Sequence, residues 1–305
     1  MTFRKIVVGM DFSDAAISAA KWASQCFAPA ADLVLVHAIE LPHRPIFATG
    51  AMPPSDAIQA AALDFATSRI DEVARSLSST NIQKEIRPGK PTDVIHQVVF
   101  DAGADLVVIG PHGMRPHTTG LLGSIADRIV RLSPVSVLVA KNPRQRTPKR
   151  ILVGVDDSRM TPHVLAQARS LAATFDAQVT FVHVWSDAVY SHVASMSYAT
   201  AHDEQKARRE IREEITNEGQ RWLEQLAHAG LSGDRAKVVV THGNAGDETL
   251  TIADRLDPDL IILGRRGSGL VAAALLGSTL GTVVNRARCP VLVVADPGEG
   301  PAVAV

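Results

Sequence analysis

Residues 5–13 read KIVVGMDFS, and residues 150–158 read RILVGVDDS. Five of the nine positions are identical: Ile6, Val8, Gly9, Asp11 and Ser13 match Ile151, Val153, Gly154, Asp156 and Ser158. Working outward, LVLVHA (33–38) resembles VTFVHV (179–184), DLVVIG (105–110) resembles DLIILG (259–264), and VLVA (137–140) resembles VLVV (291–294). The offset is 145 residues between Lys5 and Arg150 and 154 between Val137 and Val291. Matches that keep their order over this distance imply duplication of one domain, and the growing offset marks insertions in the second copy.

Within the first copy, Lys5–Met10, Leu33–Ile39, Leu106–Ile109 and Val135–Ala140 are near-continuous apolar runs, and Ile82–Arg87 is a weaker one. Unbroken apolar runs of this length suit parallel strands covered on both faces. Helical patterns lie between them at Asp14–Phe27, Ala57–Leu77, Thr92–Ala102 and Ile125–Leu132. In the second copy a long helix near Asp203–Ala229 places Ile211, Ile215, Trp222 and Leu226 on one stripe, and its many charges form a solvated face. Alternating strands and helices predict an α/β fold: two tandem Rossmann-like domains, each an open five-stranded parallel sheet flanked by helices. The segment 142–149, NPRQRTPK, has the proline, the basic residues and the lack of apolar period of an exposed linker. Domain one is then expected at 1–144 and domain two at 148–296. The Gly/Pro/Ala-rich tail 297–305 is expected to fray.

Composition narrows the function classes. The 305 residues are 46% hydrophobic but only 4% aromatic, so the cores must be aliphatic. Lys plus Arg is 31 against 32 for Asp plus Glu, a balance that offers no electrostatic attraction to nucleic acid or an acidic membrane. Two cysteines, Cys26 and Cys289, are too few and too distant for a disulfide framework or a zinc cluster and read as reduced core thiols. The start of the chain enters a strand pattern without signal-peptide architecture, and no apolar run approaches the about 18 residues of a membrane helix. A soluble cytoplasmic protein is expected.

In open parallel sheets, ligands sit beyond the carboxyl ends of the strands. The fourth apolar run of the first copy leads into GPHGMRPHTTGLLGS (110–124), and that of the second into GRRGSGLVAAALLGS (264–278). Both follow Gly, two residues, Gly, nine residues, Gly-Ser: Gly110, Gly113, Gly123 and Ser124 match Gly264, Gly267, Gly277 and Ser278. Glycine lets backbone N–H groups approach an anion closely, and the closing Gly-Ser opens a helix whose N-terminus carries free N–H groups. The pattern predicts a phosphate cradle in each half. Asp11 and Asp156, at the carboxyl end of the first strand of each copy, are placed to accept from ribose hydroxyls, beside Gly9. Ser13 in the first half and Thr161, before Pro162, in the second are the expected helix caps. Pro111 removes one backbone donor from the first loop. Arg265 and Arg266 give the second loop two permanent cations where the first has His112, Arg115 and His117.

The D-x-S after strand one, the V-H-A/V ending strand two and the Gly-Ser loop together resemble the universal stress protein family, over nearly the whole chain and twice. The loop motif resembles that of the family's nucleotide-binding branch. The resemblance implies that Asp11 and Asp156 meet adenosine and that Ala38 and Val184 contact adenine through their backbone. It implies that Gly110, Gly113, Gly123 and Ser124, and Gly264, Gly267, Gly277 and Ser278, hold phosphates; from the charges of the loops themselves, Arg266 reads as a phosphate partner and His112, with His117, as a phosphate partner or a metal pair. It also implies a strand order of 3-2-1-4-5, pairing through the fifth strands, and ATP, ADP or AMP as ligand, with or without Mg2+. The domains would form an intramolecular pseudo-dimer, and the chain a homodimer or a complex with an unidentified protein partner.

A regulatory nucleotide-binding protein of the stress response is therefore expected. Two alternatives stay open: a slow ATPase or self-phosphorylating protein acting at Ser124 or Ser278, and a nucleotide-free interaction scaffold. There is no G-x4-G-K-[ST], G-x-S-x-G or H-E-x-x-H motif, and no catalytic residue or metal site is assigned. A phospho-acceptor receiver pair would need an aspartate at the end of strand three, and Ile82–Pro88 and Val238–His242 hold none.

Overall fold

The computed structural model describes residues 3–27, 31–40, 55–79, 81–113, 121–144, 146–186, 201–228, 235–266 and 277–296. In the first half, strands β1 (Lys5–Gly9), β2 (Asp32–Ile39), β3 (Ile82–Pro88), β4 (Leu106–Ile109) and β5 (Ser136–Val139) alternate with helices α1 (Asp14–Phe27), α2 (Ser55–Arg75), α3 (Pro91–Ala102) and α4 (Ser124–Leu132). The second half repeats the series. It comprises β6 (Arg150–Gly154), α5 (Thr161–Phe175), β7 (Gln178–Trp185), α6 (Ala201–His228), β8 (Ala236–His242), α7 (Ala245–Leu256), β9 (Leu260–Gly264), α8 (Ser278–Arg286) and β10 (Val291–Val294).

The chain divides into two compact units. One is Pro148–Ala287, whose four parallel strands run in the order β8-β7-β6-β9. The other joins the first half to the segment from Arg288 onward. Its strands run β3-β2-β1-β4-β5, all parallel, which is the order that the resemblance implies. In that unit β10 lies antiparallel to β5, with Val293 opposite Val137 and Val291 opposite Val139.

Sequence and burial agree strand by strand. The continuous apolar runs are the central strands, and Ile6, Val8, Leu33, Leu35, Val107 and Val108 are fully buried. The weaker run Ile82–Pro88 is the edge strand β3, which exposes Gln83 and Lys84 because only one neighbour covers it. On α6 the expected stripe faces inward, but Leu223 and Ala227 are its fully buried residues. Trp222 is half-buried, with its ring centroid 5.1 Å from that of His183.

One repeated pair ties the start of the first strand to the start of the fourth in each half. Asp105 accepts from the backbone N–H of Arg4 at 2.9 Å and of Lys5 at 3.2 Å. Its counterpart Asp259, buried, accepts from the N–H of Lys149 and Arg150, both at 3.0 Å. These donors stand where each strand begins, at the mouth of the ladder, and a carboxylate satisfies them there. No described helix is long and apolar enough to cross a membrane.

Candidate functional site

Each half carries a cavity at the carboxyl ends of its strands, of about 500 Å³ in the first and about 560 Å³ in the second. Gly9, Asp11, Ala38, Gly110, His112, Gly113, Gly123 and Ser124 all line the first. Asp156, Val184, Gly264, Arg266, Gly277 and Ser278 all line the second. Gly267 lies outside the described residues, as do Arg115, Pro116 and His117 in the first loop. Segments far apart in sequence thus converge on one cavity per half.

The first wall is the turn after β1. Met10 N–H donates to Val36 O at 2.8 Å, and the His37 ring meets Met10 O through Nδ1 at 2.7 Å. A carbonyl only accepts, so Nδ1 carries the proton. His183 holds Val155 O in the same way at 2.9 Å. These two histidines are the middle residues of the repeated V-H-A/V. Their presence in both copies was the available sign that they, and not only their neighbours, shape the site.

Beyond that anchor, Phe12 takes a left-handed backbone with φ of 65° and stacks against His37 at 4.5 Å. This turns the chain so that Asp11 Oδ1 accepts from Ser13 N–H at 3.0 Å and from its hydroxyl at 2.6 Å. Ser13 Oγ in turn accepts from Ala16 N–H at 3.2 Å, as a cap for α1. In the second half Asp156 Oδ1 accepts from the Ser158 hydroxyl at 2.6 Å, and Ser158 accepts from Met160 N–H at 3.2 Å. Thr161 is not the expected cap. It begins α5, and its hydroxyl donates back to the carbonyl of Asp156.

The second wall is the loop after β4 and β9. A β-carbon on Gly110 would stand 3.2 Å from the Ala15 carbonyl carbon and the Ala16 nitrogen, so glycine lets this loop lie on α1. A β-carbon on Gly264 would meet Met160 Cβ at 3.1 Å. Gly9 lines the cavity, but a β-carbon there would also stand 3.1 Å from Ile95 and 3.2 Å from Ile109, so packing as well as the cavity favours glycine. Gly154 is held by Leu263 in the same sense.

The floor is the N-terminus of α4 or α8. Its N-cap residue is Gly123 in one half and Gly277 in the other, each with extended backbone and no side chain to cap with. By contrast Ser13 caps α1, and Asn244 caps α7 by accepting from Gly246 N–H and Asp247 N–H at 3.0 and 3.2 Å. Like α3 and α5, the two helices whose first turns line the cavities have no side-chain cap, so their first-turn N–H groups and positive dipole end face the cavity. Among the described residues, none outside its chain neighbours comes within 4 Å of where a β-carbon on Gly277 would stand. Arg265, one of the two cations expected from the second loop, lines the second cavity, and two further charged lining residues did not figure among the sequence candidates: Glu40 in the first cavity and Arg159 in the second. Glu40 and Arg159 fall outside the repeated motifs, so pattern matching passes over them.

A family model described as "Universal stress protein family" matches residues 2–141 and again 147–295. The chain belongs to the universal stress protein family. It is a tandem member, since the model matches both halves. Universal stress protein Rv2623 of Mycobacterium tuberculosis is 26% identical over 307 residues, covering 95% of this chain and 96% of that one. Universal stress protein Rv2005c of the same organism is 27% identical over 206 residues, and the match spans 65% of its length and 66% of this chain. Among solved structures, a universal stress protein from Archaeoglobus fulgidus superposes with a TM-score of 0.64 at 19% identity, covering 95% of this chain and 96% of its own. That likeness establishes the α/β fold of parallel sheet and flanking helices for this universal stress protein.

Proposed function

We propose that this universal stress protein binds adenine nucleotides at two sites, one in each cavity, and acts as a nucleotide-dependent regulatory module. The observation that carries this reading is the convergence of a carboxylate, a glycine loop and a helix N-terminus left without a side-chain cap on one cavity, in both halves. A cavity of about 500 Å³ lies in the range of small-molecule sites. Oδ2 of Asp11 or Asp156 accepts from ribose hydroxyls, while Oδ1 is held by the nearby serine. The backbone at Ala38 and Val184, at the ends of β2 and β7, reads the adenine edge. The first-turn N–H groups of α4 and α8 hold phosphate, with Gly110, His112 and Gly113, or Gly264 and Arg266, completing the cradle.

ATP, ADP and AMP all present the groups this arrangement serves, and Mg2+ would arrive with the phosphates. Backbone recognition of the base favours ATP over GTP, because the donor and acceptor on that edge are exchanged between the two purines. The regulatory output is contact with a protein partner or a second copy of the chain. Calorimetric titration of the full chain with ATP, with and without Mg2+, tests the reading, and GTP serves as the control. Saturable binding of two ATP per chain is expected. No heat at millimolar ATP, or equal affinity for GTP, would overturn it.

A further inference from the structure

The two cavities are similar in size but differ in charge. Position by position, Asp14 at the start of α1 corresponds to Arg159, Glu40 to Ser186, Pro111 to Arg265 and His112 to Arg266. Each exchange moves the second site toward positive charge. Among the described lining residues, the first cavity has Asp11 and Glu40 as its permanent charges. The second has Asp156 together with Arg159, Arg265 and Arg266. The formal balance is thus two negative against two positive. Adding Arg115, which lies outside the described residues, still leaves a difference of three charges.

Charge at this position bears on one part of a nucleotide above all, its phosphate chain. Arginine stays protonated at any ordinary pH and offers forked donors matched to phosphate oxygens. Arg265 is 9% exposed, so solvent screens its charge less than that of a surface arginine. In the first cavity Glu40 adds a second negative charge to that of Asp11, which makes the whole cavity less favourable to a highly charged ligand, and Pro111 offers no backbone N–H where Arg265 has one.

We propose that the sites are divided by ligand charge: the second takes an adenine nucleotide with a polyphosphate chain, and the first takes one with a single phosphate or none. The chain then senses two ligands of the same base at once, and responds to their ratio rather than to either concentration alone. This rests on the nucleotide-binding reading above.

The test titrates ATP, ADP, AMP and adenosine into the full chain with one site silenced at a time, by Asp11→Ala or by Asp156→Ala. Gly113→Val is a second silencing variant for the first site. With the first site silenced, ATP should bind at least about tenfold more tightly than AMP, the worth of one added charged hydrogen bond. With the second silenced, AMP should bind as tightly as ATP or more tightly. Glu40→Ser combined with His112→Arg, on the Asp156→Ala background, should then shift the remaining site toward ATP. The same ATP-to-AMP ratio at both sites, or a ratio that this exchange leaves unmoved, overturns the division while nucleotide binding stands. No binding of any of the four ligands overturns both.

Discussion

Gly113 approaches Asp11 so closely that a β-carbon built on it would overlap Asp11 Oδ2. The carboxylate has little room to withdraw, because its other oxygen is held by the N–H and the hydroxyl of Ser13. The loop after β4 and the turn after β1 are thus fitted to each other at one atom, and that atom belongs to a residue lining the first cavity.

Gly113→Val should therefore abolish nucleotide binding at the first site by displacing Asp11 and filling the cradle. Gly113 is exposed, so the core is untouched and the melting temperature should move by no more than about 3 °C. Calorimetry should report one site per chain instead of two. Two remaining sites would show that the loop does not contribute to binding.

Asp259→Ala should destabilise the fold by about 2–3 kcal/mol. It strips the acceptor from the N–H groups of Lys149 and Arg150 at a buried position. Asp259→Asn, which keeps one acceptor oxygen, should lose less. Asp105→Ala removes the same interaction from a more exposed place and should cost less than Asp259→Ala. Urea denaturation of the three variants gives the order directly, and equal losses would contradict the role of burial.

Gly246→Ala should cost about 1–3 kcal/mol and also weaken binding at the second site. An added β-carbon would stand 2.7 Å from Thr282 Cβ and 2.9 Å from its Cγ2, pressing α7 against α8. The N-terminal residues Ser278, Thr279 and Leu280 of α8 line that cavity, so the helix cannot shift without moving the phosphate floor. Thermal unfolding together with ATP titration on an Asp11→Ala background would check both effects. Unchanged affinity would mean that the strain is absorbed elsewhere.

The two thiols should react at very different rates. Burial raises the Cys26 thiol to about 12, so almost no thiolate forms in the folded chain near neutral pH. Cys289 is only half-buried. Alkylation followed by mass spectrometry should modify Cys289 first and Cys26 only on unfolding. The folded value lies above the ordinary value of 9.0, so this group's contribution to stability is complete below about pH 9 and is lost as pH rises toward 12. Equal labelling of both thiols in the native state would contradict the burial of Cys26.

Much of this molecule was legible in the order of its residues. Unbroken runs such as Leu106–Ile109 state that a strand is covered on both faces, because only such a strand can bury every side chain. The repeated Gly-Ser loops and D-x-S turns state where a strand ends and a helix with an open N-terminus begins, because backbone geometry there depends on glycine and short polar side chains. These are local properties, and duplication wrote each of them twice. Other features depend on contacts between residues distant in the chain, and only the tertiary structure decided them. The anchoring of Met10 O by His37, the fit of Gly113 to Asp11 and the carboxylate of Asp259 beneath Arg150 join segments that the fold brings together. So does the placing of β10 beside β5. The charge of each cavity belongs to the same class, because Glu40 and Arg159 sit in no shared motif and acquire their meaning from the wall they line. Sequence periodicity reports which side of an element is buried, whereas the field inside a cavity is a sum over whichever side chains the packing turns toward it.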